Sequence, residues 1–129
     1  MDHELIVIKP DAVRRGLVGE ILSRFEKKGF VLERMKSLEM TEEQARKLYS
    51  VHRDKPFFEN LVKFMCDGTS IAIVLNRYNA ITVTRRLIGA NNLPGTIRGD
   101  YATGITENVI HASDNSDQLL WETHALFGD

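Results

Sequence analysis

Asn108 and His111 stand three residues apart, and Ala112, Ser113, Asp114, Asn115 and Ser116 follow at once. Short polar residues of this kind start helices. Residues 105–110 are expected to form a short apolar strand, broken by polar residues, with His111 at its end. A histidine so placed faces the N-terminus of the next helix, where free backbone N–H groups gather anions. Alone, it is as well explained as a surface or capping group. Its company argues otherwise, because Lys9, Arg85, Arg98 and Asn108 all fall at the ends of expected elements. Several fixed cations are what a phosphate-handling site needs when it has no dedicated loop, and arginine's planar fork suits phosphate oxygens. Taken singly, each cation is more often a solvated charge. Arg98 stands out because Gly95 and Gly99 flank it and would let the backbone approach a ligand closely.

Composition limits what such a site can serve. The 129 residues are expected to form one domain, 1–129, large enough for a real core and too short for two ordinary ones. A hydrophobic share of 43% with 27% charged residues disfavours disorder. Lys+Arg of 17 against Asp+Glu of 18 leaves −1, so no global field recruits nucleic acid and any anion site is local. One cysteine, Cys66, excludes an internal disulfide framework and reads as a small core residue in a reducing compartment. Neither a signal-peptide pattern nor a membrane-length apolar run is visible, so a cytoplasmic location is expected.

The elements that must position these side chains follow from periodicity. Residues 4–8 form a continuous apolar run suited to a central strand. Lys9-Pro10-Asp11 stops it, since proline donates no ladder hydrogen bond. Residues 17–28 place Leu17, Val18, Ile21, Leu22 and Phe25 at helical spacing, with Gly29 as the cap. Residues 30–40 alternate as a half-exposed strand would. Thr41 to Gln44 open a helix in capping-box style. A polar turn at 52–56 leads into a helix from Phe57 to near Gly68. Residues 70–75 are a second apolar strand, 79–88 a short helix, 91–95 a turn and 96–104 a loop. A last amphipathic helix is expected at 116–127, with Leu119, Leu120 and Leu126 facing the core. The fold class is α/β of the α+β kind: βαββαβ, a four-stranded antiparallel sheet with helices packed on one face. No G-x-G-x-x-G follows a strand and no G-x-x-x-x-G-K-[ST] occurs, so the common dinucleotide and P-loop cradles are absent.

At this point the residues stop being generic. Asn108-x-x-His111-Ala112-Ser113-Asp114, with Lys9-Pro10-Asp11 and Pro94-Gly95-Thr96-Ile97-Arg98-Gly99-Asp100, resembles the nucleoside diphosphate kinase family. Arg15-Gly16-Leu17-Val18-Gly19-Glu20-Ile21 and Lys55-Pro56-Phe57-Phe58 are similar to further segments of that family. The match runs in order over essentially the whole chain, which is far more specific than any single motif. It implies a ferredoxin-like fold and ping-pong exchange of the γ-phosphate between nucleoside triphosphates and diphosphates, with broad base and sugar specificity.

By that resemblance His111 would become the phosphohistidine, a chemically sensible role because neutral imidazole is abundant at pH 7 and nucleophilic. Glu122 would hold the other ring nitrogen, Ser113 would tie down Glu122, and Tyr49 would reach the transferring phosphate. Arg85 and Arg98 would neutralise its equatorial oxygens. Asn91 stands where a threonine commonly binds phosphate, and its amide can still donate. Lys9 and Asn108 would hydrogen-bond the sugar 3′-hydroxyl, Phe57 would stack on the base with Ile105 opposite, and Leu61 would lie nearby. Helix packing alone would also explain Tyr49, Phe57 and Leu61, and Glu122 could be an exposed helix carboxylate. Mg²⁺ would arrive on the nucleotide, since no carboxylate cluster offers a cage. The resemblance also implies a homo-oligomer, a hexamer first and a tetramer second. One departure bears on this: only four residues, 90–93, separate Gly89 from Pro94, where family members usually have several more. A binding module without catalysis is the main rival, and the joint presence of His111, Glu122, Tyr49, Arg85 and Arg98 argues against it. RNA binding through sheet aromatics is not expected, as the apolar strands carry none.

Overall fold

The computed structural model describes residues 2–128; residues 1 and 129, the ends of the expected domain, lie outside them. The elements run β1 (Asp2–Ile8), α1 (Pro10–Arg14), α2 (Val18–Lys27), β2 (Val31–Leu38), α3 (Glu42–Leu48), a 3₁₀ turn (Ser50–His52), α4 (Phe58–Cys66), β3 (Ser70–Arg77), α5 (Ala80–Ile88), α6 (Ile97–Tyr101), β4 (Ile110–Ala112) and α7 (Ser116–Phe127). The sheet order is β2-β3-β1-β4, with every neighbouring pair antiparallel.

β1 is buried from Glu4 onward. A strand apolar at both odd and even positions needs protein on both faces, and it has it. Alternation sends Ile6 and Ile8 to one side, with Ile21 and Phe25 of α2 and Ala80 and Ile88 of α5. Leu5 and Val7 go to the other, with Leu48 of α3, Met65 of α4 and Leu126 of α7. The helices therefore cover both faces, not one. Burying a side chain the size of Phe25 stabilises the fold by about 1.5–3 kcal/mol.

Other departures have local causes. Pro10 ends β1 as expected but also opens α1, because its fixed φ suits the first helical position and its missing N–H would be unpaired there anyway. α6 occupies a stretch expected to be loop. Thr96 caps it by accepting from the Gly99 N–H at 3.1 Å, and five residues are too few to display a period. β2 alternates in sequence yet is exposed on both faces, because it is an edge strand, met by the end of α7 through Lys36 and Arg34. On α7 the buried stripe runs through Glu122 and Leu126, which leaves Leu120 72% exposed. The capping box of α3 forms as the sequence indicates, Thr41 and Gln44 each accepting from the other's backbone N–H. Cys66, at the end of α4, is only partly buried. Among the described residues no helix is long and apolar enough to cross a membrane.

Candidate active site

β4 is a three-residue edge strand whose backbone does two things. The Lys9 N–H donates to the Val109 carbonyl at 2.9 Å and the Ser113 N–H to the Leu5 carbonyl at 3.2 Å. Odd-numbered residues thus turn their polar groups toward β1, and the pleat turns the carbonyls of Ile110 and Ala112 outward. Arg98 Nη2 donates to Ile110 at 2.7 Å, and Arg85 Nη2 donates to Ala112. Arg85 also pairs with Asp114. Two guanidiniums therefore bracket His111, one bonded on each side of it.

His111 lies within the strand, not at its end, and residues 105–109 are loop. Its Nε2 is 3.0 Å from Glu122 Oε1, which also accepts from Ser113 Oγ at 2.7 Å. Glu122 is 1% exposed, a buried carboxylate satisfied by two donors. The bond assigns the ring proton to Nε2 and leaves the lone pair on Nδ1. At the N-terminus of α7, Asn115 Oδ1 takes the Gln118 N–H at 2.9 Å, so one of the backbone donors expected to gather anions is already engaged. Positive charge comes from side chains as well. Arg98 is one source; burial, and then the nearby Arg85, lower its pKa.

Tyr49 caps the C-terminus of α3 and packs edge-on against the His111 ring, centroids 5.1 Å apart. Burial pushes its phenol up, so it stands as an O–H donor, and among the described residues that hydroxyl has no partner. Lys9 is buried, its Nζ donating to the Thr106 carbonyl and to Asn108 Oδ1, both at 2.7 Å. Burial, with Arg98 next, brings its pKa down to about 7. Asn108 Nδ2 in turn donates to the Ile105 carbonyl at 3.0 Å. Val109 follows with φ 67°, a left-handed conformation that strains a β-branched residue. The Ile110 N–H reaches the Asn108 carbonyl at 2.8 Å across it, making a γ-turn. Asp11 Oδ2 holds the turn by accepting the Val109 N–H at 3.2 Å.

Lys9, Tyr49, Phe57, Leu61, Arg85, Arg98, Ile105, Asn108, His111 and Glu122 line one cleft, and Ser113 joins through Glu122. Phe57 stands near His52 at the mouth, and Ile105 is 75% exposed opposite. Asn91 does not line the cleft; its Nδ2 donates to the Gly104 carbonyl at 2.9 Å, tying the short 90–93 loop to the stretch between α6 and β4. Gly99 serves that loop too. A Cβ there would overlap the Leu93 carbonyl, so its smallness makes room for backbone and not for a ligand. Thr106, Gln118, Val51 and His52 also line the cleft. Sequence reasoning did not find them, because none belongs to a motif that carries chemistry and Gln118 reads as an ordinary polar helix position. Asp11 shows itself only through the turn it holds.

Over residues 2–129 the chain matches the nucleoside diphosphate kinase family. It belongs to that family. A nucleoside diphosphate kinase of Thermus thermophilus is 50% identical over 98% of this chain and 96% of its own. The structure of the Encephalitozoon cuniculi enzyme, in its apo form, superposes with TM-score 0.96 at 37% identity, covering 100% of this chain and 90% of that one. The structure of the Halobacterium salinarum enzyme in complex with CDP gives 0.92 at 39%, covering 99% and 88%. Nucleoside diphosphate kinases are phosphotransferases, and His111 between two arginines is an arrangement that can take up a phosphoryl group.

Proposed function

We propose that the chain moves the γ-phosphate of a nucleoside triphosphate to a nucleoside diphosphate in two half-reactions through His111, acting as a single domain in the cytoplasm. The observation that carries this reading is His111 itself, with Nε2 bonded to buried Glu122 and a guanidinium bonded on each side. Nδ1 attacks the γ-phosphorus, the bond to the β–γ bridging oxygen breaks, and the diphosphate leaves. Glu122, held by Ser113, keeps the Nε2 proton in place and steadies the charge the ring acquires. Arg85 and Arg98 meet the equatorial oxygens, and the Tyr49 hydroxyl donates to the transferring group. A second diphosphate then attacks the phosphohistidine and reverses the path.

Lys9 and Asn108 take the sugar 3′-hydroxyl, while Phe57, Leu61 and Ile105 grip the base. Asn91 reaches phosphate only by giving up the Gly104 carbonyl. Mg²⁺ bound to the phosphates supplies charge neutralisation. The cleft fits a metal that arrives on the nucleotide: Glu122 is engaged by His111 and Ser113, Asp114 by Arg85, and the remaining anionic donors are phosphate oxygens. Protein incubated with γ-labelled ATP and no acceptor should form an acid-labile, base-stable phosphoenzyme. Absence of label in folded protein overturns the reading.

Base preference follows from the grip. Phe57, Leu61 and Ile105 carry no hydrogen-bonding groups, and an apolar pocket discriminates by only about 10–200-fold. All common bases should be accepted, purines best because they offer more stacking area, and both ribose and deoxyribose should work. kcat/KM over a full set of diphosphates tests this; discrimination beyond about a thousandfold would require a polar base contact.

We also infer a symmetric homo-oligomer built on dimers, a hexamer before a tetramer, with weak contacts between dimers because the 90–93 loop is short. The edge strand β2 supports association, since Val31, Leu32 and Met35 are exposed there. Light scattering at low concentration should report an assembly, and a stable monomer counts against it.

A further inference from the structure

Glu4 is fully buried at the head of an otherwise apolar stretch of β1. Alternation turns it to the side of Ile6 and Ile8, the face on which α5 packs. Its Oε1 accepts the Leu5 N–H at 2.8 Å, and its Oε2 is buried without a partner among the described residues. α5 carries complementary orphans: Thr84 Oγ1 and Arg85 Nε are also buried and unpartnered. Among the described residues, the charged groups that bear on Glu4 are Arg85 from α5, Asp114 from the β4–α7 turn and Glu122 from α7. Arg85 is the side chain whose far end reaches the Ala112 carbonyl and Asp114 in the cleft. A buried acid that the transfer chemistry does not use thus shares the α5 face of β1 and the electrostatic reach of the guanidinium proposed to meet phosphate.

We propose that Glu4 is a positioning residue acting through Arg85: as the neutral acid it leaves the guanidinium on Ala112 and Asp114, facing the cleft, and as the carboxylate it draws it back toward Oε2. The inference rests on the phosphoryl transfer proposed above. Burial favours the neutral acid and raises its pKa to about 8; the Leu5 N–H and Arg85 oppose that rise, and Glu122 and Asp114 add to it. The neutral form therefore prevails at pH 7 and the carboxylate above pH 8. Ionisation gives one proton to solvent and changes no other covalent bond. Phosphate and the Glu4 carboxylate compete for one guanidinium, so by reciprocity a bound phosphate holds Glu4 protonated.

Glu4→Gln keeps the shape and the bond from Leu5 but cannot ionise. In the wild type, kcat/KM for a diphosphate acceptor should fall roughly three- to tenfold between about pH 7 and 9.5, carried mostly by KM. In Glu4→Gln that portion of the fall should be missing. Infrared spectra of glutamate-labelled wild type should show a protonated carboxyl band at pH 7 that Glu4→Gln lacks. If the variant does not fold, the wild type alone decides. Inorganic phosphate should move the band's disappearance to higher pH, and an unmoved midpoint overturns the proposal. So does an equal alkaline fall in both proteins, or no protonated band at pH 7. Failure of the kinase reading looks different: the wild type would exchange no phosphate at any pH, while the infrared titration stayed legible.

Discussion

His111→Ala should leave a folded protein with no phosphoenzyme and an exchange rate lower by on the order of 10⁶, the size of loss seen when other covalent nucleophiles are removed. The fold should survive because His111 is partly exposed in the cleft and its backbone, not its ring, pairs β4 with β1. The variant does leave Glu122 buried with Ser113 as its remaining donor among the described residues, which should cost about 1–3 kcal/mol. Circular dichroism and thermal melting separate that cost from lost chemistry. Wild-type-like turnover in the variant would end the covalent mechanism.

Arg98→Ala should lower kcat by about 10²–10³, as loss of one preorganised stabilising group typically does. Asn108→Ala belongs in the same range. Arg98→Lys should not restore the rate, because an ammonium cannot span both a carbonyl and a phosphate oxygen with one planar fork. The substitution has a second expected result. Arg98 is one of the groups that hold the Lys9 pKa down near 7, so removing it lets Lys9 keep its proton to higher pH. The sign is definite: any limb of the activity profile that belongs to Lys9 deprotonation should move alkaline in Arg98→Ala. A change of only a few-fold in kcat, with an unmoved profile, would take Arg98 out of the site.

Much of this was legible in the chain. Residues 4–8 announce a buried central strand, and the Thr41–Gln44 box announces its helix, because in each the local chemistry agrees with the tertiary demand. α1 and α6 were not legible, since five-residue helices carry no period and their warrant is a proline ring and one threonine hydroxyl. Glu122 reads as a surface carboxylate from its residue type, although its spacing from Leu119 and Leu126 puts it on their face of the helix. Only the family resemblance points it at His111, and the geometry then brings the two together. Asp11 and Glu4 gave no sign of what they do. One is spent on the backbone of a distant turn, the other on burial, and neither kind of partner can be inferred from neighbours in sequence.

The outward carbonyls of β4 have a consequence beyond phosphate. An unpaired strand edge invites another chain to add to it, and native sheets commonly blunt such edges. Here Arg98 and Arg85 occupy the Ile110 and Ala112 carbonyls, and Asn108 takes the Ile110 N–H, so the rim beside the chemistry is already plugged. β2 forms the opposite rim, with Val31, Leu32 and Met35 exposed along it. A sheet open at one end can join a second copy only once, edge to like edge about a two-fold axis, and then has nothing left to offer a third. The side chains that gather charge around the histidine also close the β4 rim of the sheet to edge-wise growth.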